Sequence, residues 1–182
     1  MKKTKLLVIV DMQEDFTRGA LGNAECVAAI DGILAILEEN EYDGIIFTRD
    51  THQANYMDTQ EGRKLPVVHC IEGSAGWQVV PELVEAVEKK YKRADIYYFD
   101  KPTFGSVTLG QFLQDSYGDG ESLQIDYAGV CTGICVISNV VLAKAFMTEA
   151  DVRVIASGCA CVTPETHETA LAAMKTFQVD VI

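Results

Sequence analysis

A chain of 182 residues, 48% hydrophobic and 23% charged, can bury a full core and has the composition of a globular protein, not a disordered or fibrous one. Fifteen basic against 27 acidic side chains leave a formal net charge of −12, which argues against a surface built to neutralise a nucleic-acid backbone. Lys2, Lys3 and Lys5 imitate the start of an export signal, but the apolar run behind them, Leu6 to Val10, stops at Asp11, too short for a signal or a membrane span. A cytoplasmic location is therefore expected, with most of the six cysteines kept as free thiols.

Along the chain, short β-rich runs alternate with longer amphipathic ones. Leu6–Val10 precedes a helical pattern at 24–39; a strand at 44–48 and a helix at 81–90 follow; then come a strand at 96–99 and a helix at 109–115. A strand at 122–128, a helix at 134–147, a strand at 152–156, a helix at 164–176 and a terminal strand at 178–182 complete the pattern. Runs such as Leu-Leu-Val-Ile-Val are continuously apolar, as strands covered on both faces must be. This alternation predicts one α/β domain over residues 1–182: a three-layer, doubly wound, Rossmann-like and mainly parallel sheet of about six strands with helices on both faces.

One stretch departs from it. Arg49 to Val80 shows no strong period and contains Gly62, Pro66, Gly73, Gly76 and two histidines. A loop of that length inside a compact domain is usually functional.

Ligands of an open parallel sheet bind beyond the carboxyl ends of its strands. Asp11 follows the first strand, Asp50 and His52 the second, Asp100 and Lys101 the third, and the Cys131–Cys135 turn the fourth. Cys135 opens a helical pattern, where unpaired N–H groups and the macrodipole favour a thiolate over a thiol. Taken singly, each has a bland alternative as a cap, a solvated side chain or a core cysteine. Together they support nucleophilic acyl transfer, in which Asp11 takes the thiol proton, Cys135 attacks a carbonyl and Lys101 stabilises negative charge. Backbone N–H groups at Cys131 and Cys135 would form the oxyanion hole.

A second chemistry rests on Asp50, His52 and His69, a carboxylate and two imidazoles that suit zinc, iron or manganese better than calcium. Glu61 lies between them and could add an oxygen, although spacing alone reads it as a solvated glutamate. The pairs Cys131/Cys135 and Cys159/Cys161 offer a different, poorly spaced set of zinc ligands.

The segments Val-Ile-Val-Asp11-Met-Gln-Glu-Asp-Phe, Thr-Arg-Asp50-Thr-His52, His69-Cys-Ile-Glu-Gly, Lys101-Pro-Thr-Phe-Gly and Gly-Val-Cys-Thr-Gly-Ile-Cys135-Val resemble the isochorismatase-like cysteine hydrolases. Within that family the metal-bearing loop is most similar to the nicotinamidase/pyrazinamidase group. The resemblance covers nearly the whole chain, with all five motifs in the family's order. It implies Asp11, Lys101 and Cys135 as a catalytic triad, a cis peptide at Val130–Cys131, and one divalent transition metal, zinc first, held by Asp50, His52 and His69. It also implies hydrolysis of a small carboxamide, nicotinamide to nicotinate and ammonia, through a thioester at Cys135. A homo-oligomer without nucleic-acid or membrane partners is expected.

Three departures from the family's pattern stand out. Where many members carry a second histidine, this chain has Asn55-Tyr56-Met57-Asp58, and Glu61 is the nearest carboxylate to take over as ligand. Gly133 replaces a frequent Asp beside the nucleophile, and Phe104 with Gly105 replaces a small-residue and aromatic arrangement after the lysine. Phe16, Leu21 and Phe104 are candidate walls for a flat ring. His167, on an expected surface helix, is left outside the site. Two other readings stand beside the main one: a related cysteine amidase or carbamoyl hydrolase acting on another small amide, and, more remote, a non-catalytic thiol or zinc-binding protein.

Overall fold

The structure, a computed structural model, describes residues 3–182 apart from the Ala94 side chain. Lys2, part of the basic start, lies outside the described residues. The sheet contains, among the described residues, β1 (Thr4–Val10), β2 (Gly44–Asp50), β3 (Ile96–Lys101), β4 (Leu123–Val130), β5 (Asp151–Ala160) and β6 (Asp180–Val181). All neighbours run parallel, in the order β3-β2-β1-β4-β5-β6. The order reverses between β1 and β4, and the crevice at that switch point is where a doubly wound sheet takes its ligands.

Because side chains alternate along a strand, each apolar run feeds both faces. Leu7 and Ile9 of β1 pack with α2 (Ala24–Glu39) and α4 (Pro81–Lys90). Leu6, Val8 and Val10 face the opposite way, into a core shared with α5 (Val107–Tyr117), α6 (Ile137–Phe146) and α7 (Pro164–Lys175). Each fully buried aliphatic side chain contributes about 1.5–3 kcal/mol, so the two cores carry the stability of the fold. The helix starts follow local chemistry. The Asn23 side chain accepts the Cys26 N–H, the Ser106 side chain accepts the Leu109 N–H, and Thr163 closes a capping box before Pro164. Two short helices, α1 (Glu14–Thr17) and α3 (Gln60–Lys64), lie near the carboxyl end of the sheet.

The expected fold class is observed, with shifts at the element ends. Polar residues ended the sequence-based strands too early: β2 continues to Asp50 and β3 to Lys101, pairing Arg49 with Asp100 and Asp50 with Lys101. A backbone ladder is indifferent to side-chain polarity, and the Arg49–Asp100 ion pair at 2.6 Å stabilises the charged register. β5 likewise extends beyond its expected end at 156, after a register shift between Tyr127 and Gly129 of β4. The segment expected to be irregular holds a 3-10 turn at Tyr56–Asp58 as well as α3, both too short to show a hydrophobic period.

Candidate active site

The Cys131–Cys135 turn begins where β4 leaves the sheet. Gly129 has φ +124°, and a Cβ there would collide with the Val10 carbonyl of β1, so only glycine lets the two strands stay paired at this point. The Val130–Cys131 peptide is cis, at the position the resemblance indicates. Residues Thr132–Val136 form one π-helical turn before α6, and the N–H groups of Ile134 and Val136 both donate to the Cys131 carbonyl, at 3.0 and 3.1 Å. Thr132 is fully buried, and its Oγ1 shares a 2.8 Å hydrogen bond with Nδ1 of His167. His167 does lie on a helix near the surface, but its ring reaches the Cys131–Cys135 turn.

Asp11 is the first residue beyond β1 and adopts φ +49°, a left-handed conformation uncommon for a residue with a side chain. Its N–H donates to the Thr48 carbonyl, and the Thr48 hydroxyl donates to Oδ1 at 2.6 Å. Lys101 Nζ lies 2.6 Å from Asp11 Oδ2 and 3.8 Å from Asp50 Oδ1. The 2.6 Å contact is a buried ion pair. Burial alone would lower the Lys101 ammonium, but the charges of Asp11 and Asp50 outweigh it and hold it above its ordinary value. Burial, with Asp50 adding to it, holds the Asp11 carboxyl above its ordinary value against the opposing pull of Lys101.

Cys135 sits against this pair, and its thiol is raised well above the ordinary range by burial first and the Asp11 charge second. The expected thiolate is thereby corrected. A helix terminus favours the anion by up to about 2 kcal/mol, and here complete burial beside a carboxylate outweighs it. The direction of the shift favours the protonated thiol, with the Asp11 carboxylate beside it.

Asp50, His52, Glu61 and His69 each present one ligand atom within 4.8 Å of the others, the one such metal-competent group among the described residues. Its members come from the end of β2, the residues beyond it, the first turn of α3 and the far end of the same segment. His69 Nδ1 faces the Val67 carbonyl at 2.8 Å; donating there leaves Nε2, 3.5 Å from Asp50 Oδ2, free to bind. His52 Nε2 is buried with no hydrogen-bond partner among the described residues, 2.9 Å from Asp50 Oδ2 and 3.7 Å from Glu61 Oε1. An orphaned imidazole nitrogen facing two carboxylates fits a cation between them, and the mixed N/O donor set suits a divalent transition metal. Burial pushes Asp50 up, but the adjacent His52 and His69 imidazoles and the Lys101 charge overcome it and hold the carboxyl well below its ordinary value. Glu61, read by spacing alone as a solvated side chain, is thus drawn into the cluster by α3. Cys131, Cys135, Cys159 and Cys161 form no such group among the described residues.

Several supporting groups escape sequence reasoning. Gln13 is fully buried; its Oε1 accepts the Asp50 N–H at 2.7 Å and its Nε2 donates to the Asp50 and Trp77 carbonyls, each at 2.9 Å. Tyr56, in the stretch where a histidine is missing, packs its ring 4.6 Å from that of His52 and 5.0 Å from that of His69. Gln13 leaves no signal in spacing because Asp50 is 37 residues away; Tyr56 is close to His52 in the chain, but its contact with His69 comes only from the fold.

A cavity of about 310 Å³ joins the two groups, with Asp50, Glu61 and His69 at one side and Cys131 and Cys135 at the other. Phe16, Leu21 and Phe104 line it as expected, with Leu65, Ile134 and Val162 also in its wall. Gly133 is not forced by packing, since a Cβ there would meet the Ala170 methyl at 3.4 Å, an ordinary contact.

Comparison with known proteins agrees with this architecture. A curated protein of Bacillus subtilis (strain 168), described as an uncharacterized isochorismatase family protein PncA, is 26% identical over 144 residues, 75% of this chain and 76% of that one. Among solved structures, nicotinamidase/pyrazinamidase PncA from Bacillus subtilis has a TM-score of 0.81 at 24% identity, covering 98% of both chains. Pyrazinamidase/nicotinamidase from Streptococcus mutans UA159 has a TM-score of 0.82 at 23% identity, covering 98% of this chain and 100% of its own. A pyrazinamidase of Pyrococcus horikoshii in complex with zinc has a TM-score of 0.75 at 23% identity, covering 98% of both. At these identities the structural likenesses speak for the fold. The isochorismatase domain itself matches residues 5–182, and the chain belongs to that family.

Proposed function

We propose that this protein is a cysteine amidohydrolase that converts nicotinamide to nicotinate and ammonia. The observation that carries this reading is one apolar cavity in which Cys135, backed by the buried Asp11–Lys101 pair, faces the Asp50, His52, Glu61 and His69 group. Such a cavity suits a small flat ring with one carboxamide, and its acidic surroundings disfavour a substrate that already bears a carboxylate.

The steps follow from the protonation states. Asp11 accepts the thiol proton as Cys135 Sγ bonds to the carboxamide carbon, while the backbone N–H groups at Cys131 and Cys135 meet the developing oxyanion. Asp11 returns that proton to the amide nitrogen as the C–N bond breaks, releasing ammonia and leaving a thioester on Cys135. Asp11 then takes a proton from water as it attacks the thioester and returns it to Cys135 Sγ as the C–S bond breaks; the acid product loses its remaining proton to solvent and departs as nicotinate. Lys101 keeps Asp11 in register and offsets its charge throughout.

Asp50, His52, Glu61 and His69 would hold one divalent transition metal, zinc by the character of the donor set, which when bound supplies a Lewis-acid contact for a pyridine nitrogen. Residues 1–182 are read as one catalytic domain and the protein as a homo-oligomer, which sedimentation would check. Among the described residues no helix is long and apolar enough to cross a membrane.

Ammonia release from nicotinamide, pyrazinamide and several ureido compounds, with metal analysis of the purified protein, tests the reading. Wild type should turn over nicotinamide and Cys135→Ala should not. Equal rates in the two would overturn it. Full activity on a different amide after chelation would assign the protein instead to a related cysteine amidase.

A further inference from the structure

Asn139 lies on α6 one turn beyond Cys135 and is 2% exposed. Its amide works in three directions. Nδ2 donates to the Cys135 carbonyl at 2.8 Å and to the Phe104 carbonyl at 3.2 Å, and Oδ1 accepts the Ser106 N–H at 3.0 Å. Two carbonyls on one side and an N–H on the other allow a single orientation of the amide, so the group acts as a rigid fork.

The fork's far ends hold the loop that follows Lys101. Phe104 is a wall of the cavity, and Ser106 caps α5. The loop backbone rests on α6, since a Cβ at Gly105 would lie 2.7 Å from Leu142 Cδ1 and 3.0 Å from the Ser138 carbonyl. Gly105, noted above as a departure from the family's pattern, thus permits the close approach that brings Asn139 within reach of two loop residues.

We propose that Asn139 is a positioning residue that sets the Phe104 wall relative to the Cys135 nucleophile, so that one side chain governs both attack geometry and ring binding. One bond, to the Cys135 carbonyl, acts on the nucleophile turn; the other two act on the wall. A displacement of about 1 Å at either costs up to about 100-fold in rate. The kinetic part of the test rests on the amidase reading above.

The two arms separate by substitution. Asn139→Ala removes both. Asn139→Thr keeps one, because a helical threonine hydroxyl can bond the carbonyl four residues earlier, here that of Cys135, but cannot reach the loop. With the amide that wild type hydrolyses, we expect Asn139→Ala to lower kcat about tenfold and raise KM several-fold, and Asn139→Thr to recover kcat to within about threefold while KM stays raised. Both parameters within about twofold of wild type in Asn139→Ala, or an Asn139→Thr variant that matches Asn139→Ala in both, would overturn the proposal. If Asn139→Ala does not fold, Asn139→Thr decides alone: raised KM with retained kcat supports it, and any other pattern overturns it.

A substrate-free readout separates this proposal from the amidase reading. Iodoacetamide labelling of Cys135, followed on its own peptide by mass spectrometry, should proceed at similar rates in wild type and Asn139→Thr and depart by at least about threefold in Asn139→Ala. Equal rates in all three would overturn the proposal even if no amide were turned over; a departure in Asn139→Ala alone would uphold the nucleophile arm even if nicotinamide were not the substrate.

Discussion

Lys101 Nζ meets Asp11 Oδ2 at 2.6 Å with both side chains sealed from solvent, at 1% and 0% exposure. Neither charge has water to fall back on, so each depends on the other. Lys101→Met should leave the Asp11 charge buried and poorly compensated, costing about 3 kcal/mol of stability. It should also lower kcat by at least about 100-fold, because the base loses both its partner and its orientation. Urea unfolding together with steady-state kinetics checks both, and a variant as stable and active as wild type would refute the dependence.

The directions of the Asp11 and Cys135 shifts predict a pH profile. Asp11 must be deprotonated to receive the thiol proton, and burial raises its carboxyl. Activity should therefore rise with pH through a limb above the ordinary carboxylate range. Cys135 is raised as well, so no alkaline limb should appear until pH exceeds the usual thiol range. Both limbs belong to the coupled pair rather than to one residue alone. A kcat/KM profile flat down to the ordinary carboxylate range would contradict this.

Metal removal should separate ligand from bystander. Chelation should abolish nicotinamide turnover, and re-addition of zinc should restore it. Glu61 Oε1 lies 3.7 Å from His52 Nε2, so Glu61→Gln should weaken metal affinity by roughly 10–100-fold while leaving the fold intact. Metal content by mass spectrometry, measured against thermal stability, reads the two effects independently. Unchanged affinity would return Glu61 to an ordinary surface role.

Gln13 satisfies both the N–H and the carbonyl of Asp50 from a fully buried position. Gln13→Ala should destabilise the fold by about 1–3 kcal/mol, since it leaves buried backbone groups unpaired. It should also reduce bound metal, because Asp50 loses its anchor. A drop in stability with full metal occupancy would show that Gln13 supports the fold but not the ligand.

Legibility tracked locality. The parallel α/β class was readable because continuous apolar runs alternating with amphipathic ones arise from burial on two faces, a property of each segment alone. Asp11 and Lys101 were readable because strand ends in such a sheet share an edge. Gln13, Tyr56 and Asn139 were not: Gln13 anchors Asp50, 37 residues away, while Tyr56 and Asn139 each link a near neighbour to a group brought in by the fold, His69 and the Phe104 carbonyl. Asn139 left a faint trace, as a buried polar residue four positions beyond Cys135 in a helix whose other buried residues are Val140 and Ala143.

By itself, the order of residues determined which chemical groups arrive at the sheet edge: a carboxylate, an amine, a thiol and a set of metal ligands. The tertiary structure alone decided their state. Cys135, expected as a thiolate at a helix start, is pushed toward the thiol by desolvation beside Asp11, against the pull of the helix terminus. Glu61, read by spacing alone as a solvated side chain, faces His52 because the short helix α3 turns it inward. Charge state and ligand geometry depend on burial and on neighbours within a few ångströms, and only the folded chain supplies both.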